Sequence, residues 1–209
     1  MLAELIQESP WTATALLALV AVCAAIVLHT VAGALLRRAT RGAPVLNAML
    51  TSVERAAGAA LPLIALQVVW QIAPDTLQFI QGVRHVNGLL LIAALTWFLM
   101  AAIAGLAEGV IRRYPVIDVV DNLQARRVHT QARVLSRTAM SIVLIAGTSM
   151  ALMTFPGARQ LGASLLASAG ILGIVAGLAA RPVFSNLIAG LQLALAQPIR
   201  LDDVLIVKG

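Results

Sequence analysis

The side chains able to do chemistry are few, and their spacing argues against catalysis. His29 lies inside an apolar run, His85 at the edge of another and His129 in a basic stretch. No carboxylate is spaced with any of them as a metal set or a nucleophile–base–acid triad requires. Cys23, the single cysteine, sits in the first apolar run, which excludes a disulfide framework and a cysteine metal cluster and reads as a small buried side chain. The charged residues near apolar runs stand at their ends. Glu54 and Arg55 mark the start of one run, and Glu108 closes another with Arg112 four residues on, the spacing of a helical ion pair. Charges inside a membrane are functional candidates by default, but at span ends they snorkel to water at little cost, so these read as structural. The expectation is a protein that is not an enzyme, with no metal and no cofactor.

Residues 161–198 read LGASLLASAGILGIVAGLAARPVFSNLIAGLQLALAQP, long enough to cross a bilayer, dense in Gly and Ala, and interrupted by one Arg-Pro pair. Wound as a helix at roughly 100° per residue, Gly162, Ala169, Gly170, Gly173, Ala176, Gly177 and Ala180 fall on one side, and Ala167, Ile171, Ile174 and Leu178 form an adjacent apolar stripe. Leu165, Leu172 and Val175, with Ser168 and Ala179, lie on the far side. Gly costs about 1 kcal/mol relative to Ala inside a helix. Gly162, Gly170, Gly173 and Gly177 therefore imply a return from close backbone approach, which in lipid is tight helix packing. Small residues are common in transmembrane helices and a lone GxxxG would carry little, but here the small face persists over five turns. A ring of identical helices needs a lumen face and flanks thin enough to interlock, and this pattern offers both.

Pro182 removes a backbone donor and crowds the preceding turn, so the helix is expected to bend or end at Arg181-Pro182, with a second helix over residues 183–196. That second run carries Ser185, Asn186 and Gln192, which suits an interfacial or protein-packed position. Arg181 falls on the stripe of Ile174 and Leu178, one turn below. Two readings of it stand: a ring of arginines at the mouth of a pore, favouring anions, or a bend that turns the side chain outward to phosphates.

The run Gly170-Ile-Leu-Gly173-Ile-Val-Ala-Gly177-Leu-Ala-Ala-Arg-Pro-Val-Phe-Ser185-Asn186-Leu-Ile-Ala-Gly190, followed by Gln197-Pro198-Ile-Arg200-Leu-Asp-Asp203, resembles the pore helix of the small-conductance mechanosensitive (MscS) channel family. The resemblance covers about the last fifty residues. It implies a homo-heptamer in which this helix lines a central pore, opens under membrane tension and releases ions and small osmolytes. It places Ile174 and Leu178 at the two apolar rings that close the pore, and Ser185, Asn186 and Gly190 in the motif after the kink. Apolar rings close a pore by dewetting, because a narrow apolar throat holds water poorly. At the kink the sequence departs from the family pattern, with Arg181-Pro182 standing where Gln-Gly is usual. The stretch Leu201-Asp-Asp-Val-Leu-Ile-Val-Lys looks like the first strand of the β domain that follows the pore in the family, and one strand cannot stand alone. The chain is therefore expected to stop at the start of a missing cytoplasmic β domain.

Positioning such a helix takes a membrane. The 209 residues are 60% hydrophobic and 11% charged, with a mean hydropathy of +0.93, which sets the chain apart from soluble globular domains. Five candidate spans emerge, at about residues 13–36, 56–72, 86–111, 139–155 and 161–180. The second is short and carries Pro62, which predicts a kink. Pro74-Asp75, Tyr114-Pro115 and Phe155-Pro156-Gly157 are the clearest breaks, and Trp11 and Trp70 stand where interfacial anchors belong. The N-terminal MLAELIQESP carries Glu4 and Glu8 and no basic residue, unlike a secretory signal, so the first span is expected to be retained.

Arginine placement sets orientation. Arg37, Arg38, Arg41 and Arg55 cluster between spans one and two, and Arg112, Arg113, Arg126, Arg127, Arg133 and Arg137 between three and four, against only Arg84 and Arg159 on the other side. The bias places the N-terminus outside and the C-terminus in the cytoplasm. It also explains the net charge of +6 without a polyanion partner, and 4% aromatic residues offer no stacking platform, so nucleic acid is not expected. Residues 118–137 lack Gly and Pro and are expected to form a helix leading into span four, held at the headgroups by its arginines. A further reading has Arg126, Arg127, Arg133 and Arg137 bind anionic lipid, at about 1 kcal/mol per basic residue near the surface, and so couple bilayer force to the pore.

The resulting expectation is an all-α integral protein of the cell inner membrane with five transmembrane helices, the last a Gly/Ala-rich, Pro-kinked pore helix. Residues 1–85 would form a peripheral pair, 86–157 a lipid-facing pair with a basic cytoplasmic loop, 158–198 the pore and post-kink helices, and 199–209 the start of the β domain. Its partners would be membrane lipids, further copies of itself, and permeating ions and osmolytes. Three rivals stand beside a tension-gated channel: a ligand-gated relative with the same pore helix, a nonconducting membrane anchor, and a secondary transporter. The last usually shows two matching broken helices from inverted repeats, and this sequence offers one.

Overall fold

The computed structural model describes residues 10–40, 42–114 and 123–196. They form five helices: α1 (Pro10–Ala39), α2 (Pro44–Ile72), α3 (Ile80–Arg113), α4 (Leu123–Met153) and α5 (Arg159–Ala196), with no strand among the described residues. With 29 to 38 residues each, all are longer than the roughly 20 residues that cross a bilayer core. All five are apolar enough to span it, and the chain is a multi-pass membrane protein. Helices are the expected solution, because in lipid each segment must satisfy its own backbone groups.

Each helix overruns the span that hydropathy marks. The extension of α2, which begins at Pro44 rather than near Ala56, runs through a polar stretch. Its early turns are diluted by Asn47, Thr51 and Ser52, yet the Thr51 and Ser52 hydroxyls donate back to the carbonyls of Asn47 and Ala48 at 2.9 Å and so stay bonded within the helix. Pro44 suits the first turn, where its missing N–H would have had no helical partner. Arg37 and Arg38 close α1, and Arg112 and Arg113 close α3, each pair at the negative end of a helix dipole.

The chain divides into two compact units, Met1–Leu165 and Leu166–Gly209. In the first, α1 packs on α2, α2 on α3 and α3 on α4, and the α2–α3 contact is the most extensive. Glycines set how closely these helices approach. A Cβ at Gly105 would lie 2.7 Å from the Met49 Cα, one at Gly109 2.8 Å from the Val45 Cα, and one at Gly162 2.5 Å from the Ser149 carbonyl oxygen. Gly147 is pressed against Thr96 in the same way. Small residues at the crossing, with bulk turned outward, is how helices associate where lipid is as apolar as leucine. Ala48, Ala56 and Ala60 are buried, while Leu17, Leu19 and Val27 point out.

Polar clasps hold the ends. The Arg84 side chain donates from Nε to the Trp70 carbonyl at 2.7 Å and from its terminal nitrogen to the Ala73 carbonyl at 2.8 Å, and it pairs with Asp75. It thereby satisfies carbonyls that the end of α2 leaves without helical donors. The turn that follows takes Phe79 into the left-handed region at φ 67°, beside a small core of Ala73, Leu77 and Ile80 against Trp70. Farther along α3, the Asn87 amide donates to Gln67 Oε1 at 2.6 Å and to the Leu63 carbonyl at 3.2 Å. At the other end of α3, His129 Nε2 lies 2.8 Å from the Tyr114 carbonyl and 3.2 Å from that of Ile111.

The helix does not end at Arg181-Pro182, and the separate second helix expected over residues 183–196 is part of it. Pro182 lies inside one helix, and Arg159–Ala196 is continuous. Proline removes a single donor and leaves the Leu178 carbonyl without its helical partner, whereas ending the helix would free several groups at once. The expected β strand and the turn at Gln197, Pro198, Arg200 and Asp203 lie outside the described residues, as do Arg41 and the start of the basic segment at 118–122.

Candidate functional site

The residues that carry the permeation reading lie on α5. No residue of this helix beyond Gly162 is buried, and Ile174 and Leu178 are each 66% exposed. A Cβ at Gly170, Gly173, Gly177 or Gly190 would meet nothing within 4 Å. Ala169 and Ala180 are half-buried, while Ala176 is exposed. From Gly170 on, the glycines of the small-residue face therefore meet no neighbour, whereas Gly162, its first member, is closed against Ser149.

The unbroken helix changes which residues share a face. At roughly 100° per residue, Ile174, Leu178, Arg181, Ser185, Ile188 and Gln192 stay within about 40° of one another's mean azimuth. The stripe thus runs on past Pro182 and turns from apolar to mostly polar below Leu178. Ser185 and Gln192 were not legible as members of it, because an expected break resets the helical phase. The signal that would have found them is the period itself, carried across the proline. Asn186 and Gly190 fall on other faces and are exposed.

Comparison with protein-family models, curated proteins and solved structures finds no match for this chain.

Arg126, Arg127, Arg133 and Arg137 are all exposed, and none forms an ion pair with a described residue. They do not form one patch. Arg126, Arg133 and Arg137 lie within about 40° on α4, away from the face that carries the half-buried or buried Ala125, Val128 and Ala132, and Arg127 stands roughly 100° apart from them. Between α3 and α4 runs an apolar groove of about 450 Å³, lined by Leu106, Val110, Val128, Ala132 and Leu135 among others.

Of the span-end charges, Glu108 pairs with Arg112 at 2.9 Å, four residues apart as the spacing predicts. Glu54 instead pairs with Arg37 on α1 at 2.6 Å, a partner 17 residues away that no helical spacing could have indicated. His85 meets Phe155 edge to face, with ring centroids 5.0 Å apart, which ties α3 to the turn between α4 and α5. Among the described residues no three His, Cys, Asp or Glu side chains gather as a metal set.

Proposed function

We propose that this chain is the subunit of a mechanosensitive channel of the MscS type, a homo-oligomer whose pore is lined by α5 and opens under membrane tension to pass ions and small osmolytes. The observation that carries this reading is the open small-residue face of α5 beside a stripe that changes character at Leu178. Each glycine costs the helix about 1 kcal/mol, and within one chain Gly170, Gly173 and Gly177 return nothing, since no neighbour approaches them. Copies of the same helix packed side by side would recover that cost, and the resemblance in residues 170–203 sets their number at seven.

In such a ring the stripe faces the lumen. Ile174 and Leu178 form the apolar throat that empties of water in the closed state. Arg181, Ser185 and Gln192 then line a wetted vestibule below it. Arg181 raises the local anion concentration there, because a ring of fixed positive charge attracts counter-ions. The arginine bias places this vestibule on the cytoplasmic side of the inner membrane, with the N-terminus outside. Bundle α1–α4 meets the lipid. Its exposed leucines and valines, the groove between α3 and α4, and Arg126, Arg133 and Arg137 at the headgroups give tension a surface to act on.

Patch-clamp recording under graded suction tests the reading. The reconstituted protein should open at a reproducible tension, and Leu178→Ser should lower that tension or leave the channel leaking. No conductance under suction, or an unaltered threshold in Leu178→Ser, would overturn it, and opening only on addition of a solute would favour a ligand-gated relative.

A further inference from the structure

A second site lies in the half-open cavity between α1, α2 and α3. It measures about 300 Å³ and is lined by His29, Gly33, Arg37, Glu54, Ala57 and Phe98 among mostly apolar neighbours. Its depth in the membrane follows from position along α1: His29 stands ten residues, about 15 Å, from the helix end at Ala39. At one end the Arg37–Glu54 ion pair forms a half-exposed mouth. At the other the His29 ring lies over Gly58, where a Cβ would come within 3.2 Å of Nε2, and no described residue hydrogen-bonds its ring nitrogens. An imidazole so deep in an apolar span leaves a donor and an acceptor to be met.

We infer that this cavity binds a small neutral amphiphile, an alcohol or phenol that enters from the bilayer and places its hydroxyl on His29. Three observations select that class. An apolar cavity of about 150 Å³ holds one benzene ring, so about 300 Å³ takes roughly ten to twelve non-hydrogen atoms, which is too few for a phospholipid acyl chain. Among the described residues lining the mouth, the two charges, Arg37 and Glu54, already neutralise each other at 2.6 Å, so they offer no net charge to a charged ligand. A hydroxyl both donates and accepts, as a neutral imidazole does, whereas a hydrocarbon end would leave His29 unmet. Gly33 keeps the cavity open, since any larger residue there would project into it.

Photolabelling tests this without reference to channel activity. The full chain in phosphatidylcholine vesicles is irradiated with a diazirine derivative of 1-octanol, and adducts are mapped by mass spectrometry. Adducts should concentrate on residues 32–37 and 53–57 over the outward face of α1 at residues 19–27, and excess 1-octanol should suppress only the former. Gly33→Val narrows the cavity while leaving the fold intact, because a Cβ there meets Glu54 Oε1 and Arg37 only at 3.8 and 3.9 Å. It should reduce the excess labelling. His29→Leu should cut the preference for 1-octanol over octane as competitor by about fivefold, the loss of one hydrogen bond. Equal labelling of the two faces, insensitivity to Gly33→Val, or failure of 1-octanol to compete because a lipid chain holds the space would each overturn the inference.

Discussion

Glycine does opposite things in the two units of this chain. In the first unit Gly105, Gly109 and Gly147 of the α1–α4 bundle, and Gly162 in the first turn of α5, are closed by a neighbouring helix with no room for a methyl group, whereas Gly170, Gly173, Gly177 and Gly190 farther along α5 meet nothing within 4 Å. The bundle's glycines already hold helices together within one chain. Those of α5 carry the same backbone cost with no contact to offset it. A sequence count of small residues treats the two sets alike, and the difference emerges only from what each one touches. The glycines of the first unit are used in helix packing, and those of α5 from Gly170 on are not.

The largest effect should come from forcing the bundle's glycines apart. At Gly105 the first atom a side chain meets is the Met49 Cα, a backbone atom that cannot rotate away. Gly105→Val should therefore separate α2 from α3 and destabilise the bundle by about 3 kcal/mol, at the upper end of overpacking costs. Thermal unfolding in detergent would show it. A loss below about 0.5 kcal/mol, typical of a substitution that touches nothing special, would dissolve the contrast between the units.

Arginine sharpens the same comparison. Arg84 holds two carbonyls and Asp75 at the end of α2, while Arg181 is exposed and forms no ion pair with a described residue. Arg84→Gln should cost about 2 kcal/mol, the range for hydrogen bonds to a charged group, and speed amide exchange over residues 70–80. Arg181→Gln should leave single-chain stability unchanged. Equal losses in both would mean that α5 is braced by its own chain.

Gly173→Ala reverses the sign. In the unassembled chain it should steady α5 by up to about 1 kcal/mol, since alanine is the better helix former and a Cβ there meets nothing within 4 Å. In a tightly packed ring the added methyl would crowd the neighbouring copy and weaken assembly. Native mass spectrometry together with amide exchange on α5 separates the two effects. A more helical chain that assembles as before would break the link between this face and association.

The spans were legible because each carries a long apolar run that hydropathy marks without knowledge of its neighbours. The early turns of α2 were not: Asn47, Thr51, Ser52, Glu54 and Arg55 mask them, and what makes the segment helical and close-packed is Gly105 and Gly109 on another helix. Pro182 misled for a related reason. Proline's local cost is real, but one lost hydrogen bond does not outweigh the turns on either side. That error hid Ser185 and Gln192, which share a stripe with Ile174 and Leu178 only if the helical phase is unbroken. Partners set by tertiary packing, such as Arg37 for Glu54 or Arg84 for the end of α2, leave no trace in spacing.

The Glu108–Arg112 pair is the opposite case, since its spacing announced it. Both side chains are about half-exposed or more, at 49% and 66%, and the 2.9 Å contact lies on one helix surface. Water and salt screen such a pair, so its geometry overstates its energy. Arg112→Gln should cost at most about 0.5 kcal/mol, and that cost should shrink further at high ionic strength. Measured beside Arg84→Gln, the ratio tests whether the bundle's stability rests on contacts that join helices rather than on those within one. A cost for Arg112→Gln matching that for Arg84→Gln would place the critical electrostatics at the end of α3 instead of the end of α2.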